Sequence, residues 1–289
     1  MNRIFKQFLG ILTAIAISSC GSLCTAQETN TSRTDITEPF PFPVGEELIY
    51  EIYWGIVPVG TTTIKTEWVE VKGSKLLAIR YKSHTNRIFG TIYPIDDTAE
   101  SIINPDTFLP ITFNFCIIRR SSRTEKNVTF DHVSLKAEMI TLSTGATNVL
   151  DISHDTRDIV TFLYHLRSAD ISTNKTIQDV IVTDTGLLDM KINSYNYENI
   201  KLGIFGKVSC LKMEPITKLD SLLVEDGKVM TWVAKERRLA TMMTIKAPLA
   251  NVTTKLVEVR GPGTDFWSEK MKKKKDEKAE DTQPVITAE

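Results

Sequence analysis

The chain has almost no net charge. Its 35 lysines and arginines face 36 aspartates and glutamates over 289 residues, a formal charge of −1. That balance excludes a polybasic nucleic-acid binder and a strongly acidic chain, so no nucleic-acid partner is expected. Cysteine is scarce, with four in all and no Cys-x-x-Cys, so neither a zinc ribbon nor a thioredoxin-like pair is signalled. There is no Gly-x-Ser-x-Gly elbow, no glycine-rich phosphate loop and no His-Glu-x-x-His. These absences leave no catalytic residue, no metal and no cofactor to assign, and they favour a binding protein over an enzyme. Beyond the N-terminus no stretch approaches the ~18 apolar residues that a membrane-spanning helix needs. No internal repeat is visible.

What is present begins with an address. Arg3 and Lys6 precede an uncharged, mostly apolar run of ten residues from Phe8 to Ile17. The run is too short to span a bilayer, and its order of charge, apolar stretch and small residues is that of an export signal. Two cleavage points present themselves. Ile17-Ser18-Ser19-Cys20 resembles a bacterial lipobox, which would acylate the thiol of Cys20 and anchor the chain firmly through two or three acyl chains. The rival is Cys24-Thr25-Ala26 before Gln27, a soluble-secretion site. The lipobox is the preferred reading. Gly21 and Ser22 follow the cysteine with no Asp, which by resemblance to Gram-negative lipoproteins points to outer-membrane anchoring facing the periplasm. The alternative is a soluble periplasmic or secreted protein.

The remaining chain divides simply. Residues 1–19 are read as the signal peptide and 20–41 as a flexible tether, with Pro39, Pro41 and Pro43 alternating across its end. Residues 42–260 form one β-rich domain, long enough to bury about 70–75% of its unfolded surface. Residues 261–289 are a disordered tail in which four consecutive lysines are offset by Asp276, Glu277, Glu280 and Asp281.

Within the domain, period-two patterning dominates. Leu48, Tyr50, Ile52 and Trp54 alternate with Glu47, Ile49, Glu51 and Tyr53. Strand-like runs follow at 61–71, 76–81, 111–118, 127–130 and 139–142. In the second half, 177–183 and 187–195 flank Asp184-Thr185-Gly186, and 222–224 and 229–233 flank a turn containing Asp226-Gly227, both hairpin signals. Runs at 241–246 and 252–259 close the series. One segment differs. Ile159, Phe162, Leu163 and Leu166 make a helical stripe, with Asp155 and Asp158 at its start and Arg167 at its end, as a helix dipole favours. The expected fold is mostly β: an antiparallel curved sheet or incomplete β-barrel with one amphipathic helix at about 158–167.

Several candidate sites compete with plainer readings. Trp54, Trp68, Phe113 and Phe115 could line an apolar ligand groove or simply fill the core. Cys116 and Cys210 could form a disulfide or remain two buried thiols, since connectivity is not readable from spacing. His154 and His165 beside Asp151, Asp155 and Asp158 suggest a metal site less well than helix-start carboxylates and surface histidines. Asp96, Asp97 or His154 could serve an envelope-polymer hydrolase, but Asp96 and Asp97 as adjacent strand residues face opposite ways, and 93–97 reads as a turn.

Three clusters carry a resemblance. They are Gly45-Glu46 with Leu48, Tyr50, Trp54 and Gly60; Asp158-Ile159-Val160 with Leu163-Tyr164 and Leu166-Arg167; and Asp226-Gly227-Lys228 with Trp232 and Arg237-Arg238. In order and spacing they resemble the bacterial domain of unknown function 3108, across roughly 42–259. The chain departs where the family's Asp and Pro near that tryptophan are Glu236 and Ala240. The resemblance implies an exported, mostly β protein and transfers no catalytic residue. At the level of fold, such chains are similar to lipoprotein-carrier half-barrels with an inner helix. The reading that results is a non-catalytic cell-envelope lipoprotein, with the membrane as partner through its lipid anchor. A lipid or an envelope protein is its further partner. A hydrolase or a structural assembly factor is the alternative.

Overall fold

The computed structural model describes residues 40–262, except 93, 120–121, 170, 217–228 and 247–248. The export signal, Cys20, Cys24, the Asp226-Gly227 turn and the mixed-charge tail lie outside the described residues.

Among the described residues, fifteen strands form one sheet. In chain order they are β1 (Glu47–Trp54), β2 (Val57–Val71), β3 (Ser74–Thr85), β4 (Asp96–Asn104), β5 (Leu109–Arg119), β6 (Ser122–Asp131), β7 (Lys136–Thr141), β8 (Ala146–Asp151), β9 (Arg157–Asp158), β10 (Thr176–Val182), β11 (Leu187–Leu202), β12 (Gly206–Pro215), β13 (Val229–Ala234), β14 (Ala240–Ile245) and β15 (Val252–Arg260). Helix α1 (Arg87–Ile92) joins β3 to β4, helix α2 (Ile159–His165) follows β9, and a 3-10 turn (Gly203–Phe205) precedes β12.

β1 lies in the middle of the sheet, paired with both β2 and β15. One limb runs outward from it as a meander through β2 to β8; the other runs from β15 back through β9. Every described pairing is antiparallel except β9 with β10.

The two edge strands, β8 and β9, are consecutive in sequence and joined by residues 152–156 alone. Such a link spans at most about 20 Å, whereas fifteen strands laid flat would be roughly 65 Å wide. The sheet therefore has to curl until its edges face each other. Contacts across the gap bear this out. Lys126 Nζ on β6 donates to the carbonyl of Asp184 in the β10–β11 turn at 2.5 Å. A side chain added at Gly186 in that turn would touch Leu150 of β8. Among the described residues no ladder joins β8 to β9, so the barrel is incomplete, as the patterning predicts.

The alternation in β1 holds, with Leu48, Tyr50 and Ile52 buried. Phe113, Phe115, Leu77, Ile79, Ile103 and Ile181 are fully buried in the main core. The β10–β11 hairpin turns at Gly186, whose φ of 130° is a value that glycine adopts without strain. Gly60 has a different cause: a Cβ there would lie 2.5 Å from the His84 carbonyl, so β2 and β3 can approach only with glycine at this position.

Some expectations change. Residues 93–97 are not all turn, because Asp96 and Asp97 open β4. That strand escapes a hydropathy reading because its buried positions are Asp97, Ala99, Ser101 and Ile103, of which one is a large apolar residue. β8 escapes because it is an edge strand with no buried face. α1 escapes because its six residues bury none of their side chains. The proline-alternating stretch does not end as a free tether. Phe42 is 1% exposed and stacks on Phe40 at 5.3 Å, and both meet the ring of Phe108.

Candidate functional site

Helix α2 enters the interior and is held at both ends by a buried carboxylate. At its start Asp158, fully buried, is the N-cap. Its Oδ1 accepts from the backbone N–H groups of Val160 (2.8 Å) and Thr161 (2.9 Å), and its Oδ2 accepts from the hydroxyls of Thr161 and Ser101, both at 2.7 Å. Burial pushes the Asp158 carboxyl above the usual range, and the donated hydrogen bonds pull it back.

At the other end, Arg167 turns its guanidinium onto Glu46, the residue just before β1. Nη1 reaches Oε1 at 2.5 Å and Nη2 reaches Oε2 at 3.3 Å. Arg237, in the turn between β13 and β14, donates to the same Oε2 at 2.7 Å. Glu46 is 0% exposed, so a single buried carboxylate serves two guanidinium groups. Arg167 also lies over the rings of Phe42 and Tyr164, at 4.9 and 5.1 Å. Arg238 donates to the carbonyls of Ala169 and of Arg167, the latter at 3.3 Å. Both Arg237 and Arg238 have positive φ, 61° and 50°, costly for residues with a Cβ. Burial and the neighbouring Arg167 lower the Arg237 pKa, against the pull of Glu46.

Beside this cluster is a cavity of about 80 Å³. Its walls are apolar, from Leu48, Ile64, Leu163, Met213, Val233 and Leu239, with Tyr50, Tyr164, Arg167 and Arg238 at its polar side. Two buried polar atoms of the lining residues have no hydrogen-bond partner, the Tyr164 hydroxyl and Arg167 Nε. Tyr50 donates to the Ala240 carbonyl at 2.9 Å. Burial raises the pKa of both tyrosines, so they stay protonated.

A second buried acid lies deeper in the first limb. Asp97 Oδ1 accepts from the Ile118 N–H (3.0 Å) and from Arg119 (2.5 Å), while Oδ2 is buried without a partner. A void of about 10 Å³ lies against Asp97, Ser83 and His84, the size of one water. Burial outweighs the Arg119 pair and raises the Asp97 pKa to about 6.

The anticipated site residues do not gather here. Phe113 and Phe115 are core, with ring centroids 5.4 Å apart. Trp68 packs at the core's edge against Phe40, with Lys75 over its ring. Trp54 belongs to a separate cluster, against Phe89 of α1 at 5.9 Å. None of the four lines the 80 Å³ cavity. The disulfide considered for Cys116 and Cys210 is not formed. Both are buried thiols, one on β5 and one on β12, and Cys210 Sγ instead meets Thr241 Oγ1 at 3.2 Å. Asp96 and Asp97 face opposite ways, and His154 is exposed on the 152–156 link, so they form no catalytic group. Among the described residues no cluster of three or more His, Cys, Asp or Glu is placed to hold a metal ion. His165 is half-buried against the ring of Phe108.

Glu46 and Arg237 were visible only as parts of the sequence clusters, and Arg167 also as the cation at the helix end. Each cluster contributes one charged residue to the same contact, and that complementarity of sign was the available signal.

The architecture is that of a β half-barrel with an inner helix pinned by buried charge. Over residues 49–257 the chain matches the family described as "Protein of unknown function (DUF3108)", and it belongs to that family. No curated protein matches. Among solved structures it is similar to a β-barrel-like protein of the domain of unknown function DUF1849 from Brucella abortus. The TM-score is 0.50 at 12% identity, over 75% of this chain and 97% of that one, a likeness of fold alone. A structure from Parabacteroides distasonis described as "a putative lipoprotein" aligns at TM-score 0.29 and 10% identity, over 78% of this chain and 100% of that one. At that score it carries no argument.

Proposed function

We propose that the protein is a non-catalytic, exported lipoprotein of the cell envelope, anchored through Cys20, that binds an apolar group in the cavity between α2 and the β13–β14 turn. The observation that carries the binding reading is the cavity itself. It has apolar walls and lies beside the charged contact where the three family clusters meet. The anchoring rests on the lipobox-like Ile17-Ser18-Ser19-Cys20.

Intact mass of the membrane-extracted protein, followed by mass spectrometry of co-purified small molecules, tests both parts. The expected result is a chain beginning at Cys20 with acyl groups, carrying an amphiphile that is lost when Leu163→Trp fills the cavity. A bare chain beginning at Gln27 would overturn the anchor. Equal recovery of the amphiphile from the Leu163→Trp protein would overturn the cavity as the binding site.

A second reading, contact with an envelope partner protein, is favoured by one surface. Ile56 (93% exposed), Ile88 (79%), Ile92 (63%) and Leu249 (71%) lie on three adjoining segments. Those segments are joined by the Gly55 N–H to Asn251 carbonyl bond and the Trp54–Phe89 contact. Loss of a cross-linked partner on Ile88→Glu and Ile92→Glu substitution is the expected result.

A further inference from the structure

We infer that the cavity beside α2 takes a small anionic amphiphile, with a short apolar tail inside and an oxyanion head at the β13–β14 turn against Arg238. This rests on the apolar-binding reading above and specifies its ligand class.

The first argument is charge. Two arginines, Arg167 and Arg237, pair with one buried glutamate, and Arg238 of the same turn donates to the Arg167 carbonyl beside them. Glu46 has both oxygens engaged by Arg167 and Arg237. Arg238 meets carbonyl oxygens, and among the described residues no carboxylate pairs with it. A half-buried site with surplus guanidinium favours an anion, and a guanidinium fork suits a carboxylate or phosphate.

The second argument is unsatisfied polarity. Buried polar atoms in native proteins are nearly always paired. Here two that are not, the Tyr164 hydroxyl and Arg167 Nε, belong to residues that line one cavity. Tyr164 is 4% exposed and Arg167 5% exposed. Both atoms are hydrogen-bond donors.

The third is backbone strain. Two consecutive non-glycine residues with positive φ cost roughly 1–3 kcal/mol each and tend to persist at functional sites. The turn that holds them puts Arg238 in the cavity lining and Arg237 on Glu46.

Size sets the tail. A cavity of about 80 Å³ is about half of one that admits benzene, so it holds roughly three carbon atoms.

The test is a titration of the full chain, labelled at its methionine methyl groups, with straight-chain carboxylates of increasing length, the matched primary alcohols and butyl phosphate. The Met213 methyl resonance is the readout, since Met213 lines the cavity. Carboxylate affinity should rise about fourfold per methylene over the first few carbons and then level off. The alcohols should bind at least tenfold more weakly. Arg238→Gln should abolish that preference, and Leu163→Trp should abolish the Met213 shift. Butyl phosphate stronger than butanoate, or the reverse, identifies the head within the class and supports the inference in either case. Alcohols binding as tightly as carboxylates would overturn the anionic ligand while leaving an apolar site in place. No Met213 shift with any probe would overturn both readings. Should Leu163→Trp fail to fold, the acid-against-alcohol comparison on the unaltered protein decides alone.

Discussion

At the N-terminus of α2, Asp158 is surrounded by neutral donors; at the C-terminus of the same helix, Glu46 is surrounded by guanidinium groups. Both carboxylates are 0% exposed. Asp158 draws on its own neighbours, Val160 and Thr161, plus Ser101, and both its oxygens are paired. Glu46 draws on residues 121 and 191 positions away, and its partner Arg167 keeps an unpaired Nε beside a cavity. The first arrangement is complete, each oxygen accepting two hydrogen bonds. The second is incomplete beside an open space, which is why the binding proposals attach to it. The contrast also separates two ways of burying a charge: one by hydrogen bonds that follow from helix formation, the other by ion pairs that exist only when three distant parts of the chain have met.

The comparison is broken most forcefully at Glu46. Glu46→Gln leaves two guanidinium groups at a buried site without a counter-charge, and removing one partner of such a pair costs about 3–5 kcal/mol. Urea unfolding should show that loss, and a change below 1 kcal/mol would mean that water replaces the carboxylate readily. Asp97 comes next. Its folded pKa of about 6 lies above the ordinary 3.8, so the folded state holds its proton more tightly than the unfolded state. Stability from this group is therefore full below about pH 4 and declines by about 3 kcal/mol as pH rises to about 6 and beyond. Subtracting the stability profile of Asp97→Asn from that of the unaltered protein should isolate this decline, and a flat difference would contradict it.

The two carboxylates of α2 also explain what could be read in advance. The helix was legible because Ile159, Phe162, Leu163 and Leu166 form a stripe and Asp158 stands at its cap position. The curved sheet was legible where inward residues are large and apolar, as in β1, or where a glycine marks a turn, as at Gly186. β4 was not legible, because its inward positions include Asp97 and Ser101, the groups that serve the buried polar contacts. Arg167 read as a cation suited to a helix end, and only the folded chain reveals that it faces Glu46. The aromatic residues misdirected the search for the same reason. Hydropathy places Phe113 and Phe115 inside without saying whether the space around them is filled, and here it is.

The smaller effects sharpen the comparison at the Asp158 end. Asp158→Ala removes a helix cap, worth about 1–2 kcal/mol, and strands the Ser101 and Thr161 hydroxyls, so a loss of about 2–3 kcal/mol is expected. That should remain below the loss at Glu46, and the reverse order would show that the ion pairs contribute less than the cap. Ser101→Ala is milder. Asp158 would keep three of its four donors, and the loss should be about 1 kcal/mol. Its sign with pH is the sharper test. Burial holds the Asp158 pKa up, and the Ser101 hydroxyl is the foremost group pulling it down. Taking that donor away raises the folded pKa further above the unfolded value. Stability then falls over a wider range as pH rises, because the folded state retains the proton longer. The cost of Ser101→Ala should accordingly be greater at pH 7 than at pH 3.5, when measured by urea unfolding at both. An equal cost at the two values would mean that the hydroxyl supports the carboxyl and the carboxylate alike.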